Sequence, residues 1–200
     1  MNAWRPRKPS LSESIRKRQL EGRFPVISEI KVRSDKAGDL LYGRDPVALA
    51  REMAQCPVAG VSVVTEPEHF GGHTGLLRAV ADAVNVPVLN KDFITTERQI
   101  RESASCGASA VLLITALLDA GSMACLIEAA GRYGLETLVE VHTLAELERI
   151  KHLTFDLLGI NNRDITIYEV DDQDVRRTEE LAGFCTGRLL ISESSISTAG

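Results

Sequence analysis

Short apolar runs alternate along the chain with longer stretches in which apolar residues recur every three or four positions. The runs Val26–Lys31, Gly60–Thr65, Val86–Asn90, Ala110–Ile114, Thr137–Val141, Leu157–Asn161 and Leu189–Ser192 are rich in Val, Ile and Leu. Few show clean apolar–polar alternation, the pattern of strands covered on both faces. Between them the spacing predicts helices near Pro46–Gln55, Thr74–Val84, Thr96–Cys106, Gly121–Tyr133, Leu144–His152 and Asp172–Cys185. Leu76, Leu77, Val80 and Val84 form one such helical stripe. Pro46 after Asp45 marks a helix start.

Alternating strands and helices require a parallel sheet with right-handed crossovers. Seven units in about 170 residues give a period near 25–30 residues, that of a (βα)8 TIM barrel. No glycine-rich dinucleotide loop follows the first run, where Ser28-Glu29-Ile30-Lys31 stands, so an open doubly wound sheet is disfavoured. The reading is an α/β (βα)8 TIM-barrel type with seven strands present. The eighth, expected around residues 205–215, is missing because the chain ends at Gly200. Residues 1–24 form a basic helical extension and residues 25–200 the incomplete barrel domain.

Charge refines this picture. The formal net charge is -5, yet the first 23 residues are basic, with Arg5, Arg7, Lys8, Arg16, Lys17, Arg18 and Arg23 against Glu13 and Glu21. Ser10 to Glu13 has the form of a capping box, and Ile15 and Leu20 follow, so this segment reads as a solvated amphipathic helix. An acidic remainder disfavours nucleic acid as a partner. The longest uncharged apolar run, Ala108 to Leu118, is interrupted by Ser109 and Thr115 and falls short of the roughly 18 residues of a membrane span. Cys56, Cys106, Cys125 and Cys185 are scattered, so a reducing cytoplasm is expected, with no disulfide and no metal site. Cys106 and Cys125 read as small apolar side chains within helices. The acidic run Glu169 to Asp174 reads as a solvated loop and helix start.

In a (βα)8 barrel, chemistry gathers where the strands end. Here Glu29 and Lys31, Lys91 and Asp92, Glu140, Asn161 and Arg163, and Glu193 interrupt or follow the apolar runs. Glu29 and Lys31 are two apart and share one face of their strand. Carboxylates, lysines and an arginine at one mouth suit acid–base chemistry on an anionic substrate, and a partly desolvated lysine has a lowered pKa and serves as a general acid. His142, two residues after Glu140, reads as loop packing in preference to a catalytic base. His69 and His73 lack the further ligands of a metal pair.

These residues lie in motifs that resemble the indole-3-glycerol-phosphate synthases, in particular their archaeal, methanogen-type branch. The motifs are Pro25-Val26-Ile27-Ser28-Glu29-Ile30-Lys31 with Ser34, and Val63-Val64-Thr65-Glu66 with Phe70-Gly71-Gly72. Pro87-Val88-Leu89 with Lys91-Asp92-Phe93-Ile94, Leu138-Val139-Glu140-Val141-His142, Gly159 to Ile165 and Ile191-Ser192-Glu193-Ser194 complete them. The resemblance implies a carboxy-lyase of tryptophan biosynthesis. It would cyclise and decarboxylate 1-(2-carboxyphenylamino)-1-deoxyribulose 5-phosphate to indole-3-glycerol phosphate without a cofactor. By the same resemblance Lys91 is a general acid, Glu29 and Glu140 are acid–base partners, and Lys31 pairs with a substrate anion. Asn161 and Glu193 hold sugar hydroxyls, Arg163 faces the anthranilate end, Phe70 and Phe93 bracket the aromatic ring, and Ser34 and Ser194 serve the phosphate. The partner is a phosphorylated small molecule, with no nucleic acid and no membrane, and the sequence leaves the oligomeric state open.

Three departures from the family pattern stand out. Asp35 replaces a proline after Ser34, Ser195 replaces a glycine after Ser194, and the eighth strand with its phosphate loop is absent. The absence of the eighth strand and its loop predicts weak substrate binding and exposed edges on the first and seventh strands, while Asp35 changes only the stiffness of its loop. Ser195 keeps its N–H available if its φ is negative. Two other readings compete. One is a non-catalytic barrel fragment that needs its last unit. The other is a related phosphate-binding barrel such as phosphoribosylanthranilate isomerase, whose Cys/Asp acid–base pair is unlike Glu29.

Overall fold

A computed structural model describes residues 9–163, 175–185 and 187–196. Helix α1 (Leu11–Leu20) leads into β1 (Ile27–Ile30), and a short antiparallel ladder of β2 (Arg33–Ser34) and β3 (Gly38–Asp39) follows. Then come α2 (Pro46–Gln55), β4 (Gly60–Val64), α3 (Thr74–Ala83), β5 (Val88–Lys91), α4 (Glu97–Ser105) and β6 (Ala110–Ile114). A 3-10 turn, Thr115–Leu117, precedes α5 (Ala120–Arg132), β7 (Glu136–Val141), α6 (Leu144–Ile150), β8 (Leu157–Asn161), α7 (Arg176–Ala182) and β9 (Leu190–Glu193).

Seven of the strands form one parallel sheet in the order β1-β4-β5-β6-β7-β8-β9. Each pairs with its neighbours in sequence, and the order never reverses. An open doubly wound sheet would reverse at a switch point; this curled sheet is of the (βα)8 type. Among the described residues, β1 and β9 pair on one side only.

The period of two along each strand sorts the core into two layers. Val61, Val63, Val88, Val111, Leu113, Val139, Val141, Leu158 and Ile160 face outward onto the helices, where Leu77, Val80, Ile100, Met123 and Ile150 meet them. Leu89, Ala110, Leu112, Ile114, Leu138 and Leu157 face inward and form a second cluster with Leu11 and Ile15 of α1. Helix α1 is therefore not simply solvated: Leu11 and Ile15 are completely or almost completely buried, and they close the floor of the barrel. Gly60 permits this approach, since a Cβ there would lie 2.8 Å from Leu11 Cδ1.

The capping of α1 also departs from the expected box. Ser10 Oγ accepts from Glu13 N as foreseen, but the reciprocal carboxylate comes from Glu136 at the start of β7. Glu136 accepts hydrogen bonds from Leu11 N at 2.5 Å, Ser12 N at 3.1 Å, Ser10 Oγ at 2.8 Å and Ser12 Oγ at 2.5 Å. A carboxylate at a helix N-terminus satisfies orphan N–H groups and complements the helix dipole.

Other expectations shift in detail. Helix α6 stops at Ile150, and α7 runs only over Arg176–Ala182; Asp172 to Asp174, like the run Glu169 to Asp174 and the basic residues Arg5, Arg7 and Lys8, lie outside the described residues. All four cysteines are free, but Cys125 is exposed, because α5 turns Met123, Leu126, Ala129 and Ala130 inward instead. No helix among the described residues is long and apolar enough to cross a membrane.

Candidate active site

The inward positions that follow the apolar floor are polar. Two residues after Ile27 comes Glu29, after Leu89 comes Lys91, after Leu138 comes Glu140, and after Ile191 comes Glu193. The strand period thus stacks each charged group above an apolar anchor of the same strand, at the C-terminal rim.

Lys91 is the hub. Its Nζ lies 2.9 Å from Glu193 Oε2 and 3.2 Å from Glu29 Oε2, while Lys31 Nζ stands 3.8 Å from Glu29 Oε1. Burial would lower the Lys91 pKa, but Glu193, Glu29 and Glu140 outweigh it and raise the pKa above the usual lysine range. The sequence-based expectation of a lowered lysine pKa is therefore overturned. Three carboxylates beat the desolvation of one ammonium. Glu193 itself is pushed up to about 7 by burial, with Glu140 and Glu29 adding to the rise and Lys91 opposing it. Burial would raise Glu29 too, yet Lys91, Lys31 and Arg163 together bring it below its ordinary value.

Gly159 creates the room for Glu193. A Cβ on Gly159 would lie 2.3 Å from Glu193 Oε1, so any other residue there would force the carboxylate out of the place it takes across β8 beside Lys91. This glycine opens the motif Gly159 to Ile165, but nothing in the sequence assigned it a role, because the close approach joins two different strands.

The remaining predicted residues sit around the same mouth. Lys31 Nζ lies 5.2 Å from the centre of the Phe70 ring, a cation–π distance. Phe70 meets Phe93 edge-on with centroids 6.4 Å apart, and Phe93 is 41% exposed, leaving an aromatic wall open to a ligand. The Ser34 hydroxyl is buried and accepts from Ala37 N at 3.0 Å, holding the loop after β1. Asn161 accepts through Oδ1 from Arg163 N at 3.1 Å.

Ser194 and Ser195 both adopt left-handed backbone, φ 64 and 57. The condition of a negative φ at Ser195 is not met. The serine takes the conformation in which glycine is at ease, at a cost of about 1–2 kcal/mol. What pins this turn is Asn162, which the sequence reading passed over. Its Nδ2 donates to Glu193 O at 2.9 Å, Ser192 Oγ at 3.1 Å and Ser194 O at 3.3 Å, and its Oδ1 accepts from Thr178 N and Oγ1 at 3.0 Å. The only sequence signal was the doubled asparagine at the end of β8.

Neither His69 nor His73 stands as a metal ligand pair. His73 caps α3, its ring Nδ1 accepting from Leu76 N at 3.0 Å, and His69 pairs with Asp35 at 2.9 Å. His69 does lie near Glu66 and Glu68, but the Glu66 carboxylate is already engaged by the N–H groups of Glu68, His69 and Phe70.

Comparison with known proteins agrees with this geometry. The family model for indole-3-glycerol phosphate synthase matches residues 2–200. The indole-3-glycerol phosphate synthase of Pyrococcus furiosus is 43% identical over 189 residues, covering 94% of this chain and 81% of that protein. Its namesake from Halobacterium salinarum is 46% identical over 164 residues, covering 81% of this chain and 62% of that protein, and one from Streptococcus pneumoniae is 39% identical over 94% of this chain and 72% of its own length. Among solved structures, KGPDC from Streptococcus mutans superposes with a TM-score of 0.52 over 74% of this chain and 70% of that one. At 11% identity that likeness speaks for the barrel fold alone. Motifs, fold and relatives agree, and the chain belongs to the indole-3-glycerol phosphate synthase family.

Proposed function

We propose that this chain closes the pyrrole ring of 1-(2-carboxyphenylamino)-1-deoxyribulose 5-phosphate, releasing carbon dioxide and water to give indole-3-glycerol phosphate. The observation that carries this reading is Lys91 held between Glu29 and Glu193 at the mouth of the barrel. Ring closure turns a ketone oxygen into an alkoxide, and a fixed ammonium beside that oxygen stabilises the developing charge and supplies its proton. A raised pKa keeps Lys91 charged across the working pH range.

Glu140 and Glu29 act as the acid–base partners of ring closure and dehydration, with Glu193, poised near neutrality, beside them. Glu193 and Asn161 hold the sugar hydroxyls. Lys31 and Arg163 face the substrate's anionic groups, Phe70 and Phe93 take the anthranilate ring, and Ser34 and Ser194 serve the phosphate. The chain divides into an N-terminal extension, residues 1–24, and a barrel domain, residues 25–200, and it works in the cytoplasm without a cofactor and without binding nucleic acid. The isomerase alternative gains no support, since Glu29 and its two lysines stand where a Cys/Asp pair would be needed.

Fluorescence-monitored turnover of the named substrate by the full chain tests this reading. Indole-3-glycerol phosphate should form, and Lys91→Ala and Glu140→Gln should each abolish it. A folded protein that yields no product, in an assay where an active family member does, would overturn it.

A further inference from the structure

His142 directly follows β7, two residues after Glu140, and it belongs to none of the family roles set out above. Its side chain is 4% exposed and lies between two carboxylates. Nε2 faces Glu140 Oε1 at 3.3 Å, an ion-pair contact without the alignment of a full hydrogen bond, and Nδ1 faces Glu146 Oε2 at 3.3 Å. The same Glu146 oxygen accepts from the backbone N–H of His142 at 2.7 Å. Glu146 is fixed in turn as the third residue of α6, its own N–H bonded to the N-cap Thr143 Oγ1 at 3.2 Å. Arg149, one turn further on, is anchored to the carbonyls of Thr115 and Leu118 after β6. The imidazole is therefore held rigidly from the helix side and presented to Glu140.

We propose that His142 is a positioning residue, whose imidazolium clamps the Glu140 carboxylate in one orientation through simultaneous pairing with Glu140 and Glu146. This rests on the reading of Glu140 as a member of the acid–base machinery. Two carboxylates, one on each ring nitrogen, demand two N–H donors, and only the protonated ring has two. Once neutral, the ring turns a lone pair towards one carboxylate and the clamp opens.

The charged groups facing His142 among the described residues are Glu140 from the preceding strand and Glu146 from α6, with Arg149 behind Glu146. Beside the strand, β8 pairs Gly159 with Glu140 and Ile160 with Val141, and neither carries a charge. Burial and the positive end of α6 both oppose a cation here, and the two carboxylates outweigh them, so His142 titrates at about 9.

Two measurements on the full chain decide the matter. The first follows the His142 ring by NMR as pH is raised. It should titrate near 9 and fall by at least one pH unit in Glu146→Gln; titration at or below the ordinary histidine value overturns the clamp. The second compares kcat and KM of the wild type, His142→Asn and His142→Gln across pH. His142→Asn should lower kcat by roughly tenfold to a hundredfold, as expected for a misplaced catalytic group, with KM within about twofold and no alkaline limb near 9. His142→Gln, whose amide nitrogen reaches the place of Nε2, should recover part of kcat. A purely structural histidine would lower the melting temperature in both variants and leave the shape of the pH profile unchanged, and that outcome sinks the proposal. If the wild type itself makes no product, the reading of function fails, and the NMR titration alone then decides the clamp.

Discussion

At neutral pH the His142 ring carries its charge in a place almost closed to water, and that charge is coupled to folding. Its pKa is raised from 6.5 to about 9 by Glu140 and Glu146 against the pull of burial. Because the folded-state value is the higher one, the stabilisation is fully present below 6.5 and is lost as pH rises through 9. The shift corresponds to on the order of 3 kcal/mol. Denaturant unfolding of the wild type and His142→Asn at pH 6 and pH 10 should show the wild type's advantage shrinking by about that much. An advantage that stays constant with pH would mean that folding leaves the pKa of the ring unshifted. Such couplings explain which residues could be read from the sequence and which could not. Glu29, Lys91, Glu140 and Glu193 betray themselves as charges in apolar runs. The protonation of Lys91 does not, because its sign depends on how many carboxylates other strands bring within reach.

At the scale of single elements, one strand's small residue is the complement of another's large one. Gly159 on β8 leaves the space into which Glu193 of β9 folds. Gly159→Ala should displace Glu193 from Lys91, and turnover should fall by roughly tenfold or more, at a stability cost of about 1–3 kcal/mol. Unchanged turnover, with unfolding also unchanged, would show that the carboxylate finds another path. Strands and helices themselves were predictable from periodicity, because each one's pattern is local. Val61 and Val63 against the helices, or Leu76 and Leu77 against the sheet, follow from spacing alone. The ends of α6 and α7 were less so, since those boundaries depend on packing. Gly159 and Asn162 stand in a quoted motif, yet their roles went unread for a further reason: what makes them matter is a partner about 30 positions away.

For the molecule as a whole, α1 couples Ser10, Leu11 and Ser12 to β7, more than a hundred positions later. Glu136 receives four hydrogen bonds from Ser10, Leu11 and Ser12. Glu136→Ala should cost about 2 kcal/mol, by loss of charge-assisted bonds at a helix N-terminus. For a chain of this size the melting temperature should drop by roughly 4–8 °C. A shift near zero would mean that Leu11 and Ile15 hold the helix by burial alone. The amphipathic pattern of residues 10–20 was enough to predict the helix but not its destination, because Ile15 and Leu11 look the same whether they face a floor or a surface. The two-residue stacking on each strand has a further consequence. Four charged side chains at the rim each stand on an apolar footing of their own strand: Ile27 under Glu29, Leu89 under Lys91, Leu138 under Glu140, Ile191 under Glu193. The mouth is thus assembled from separately mounted fittings. Retargeting such an enzyme to another reaction is a matter of exchanging tips one strand at a time, while the foundation that keeps the molecule folded stays in place.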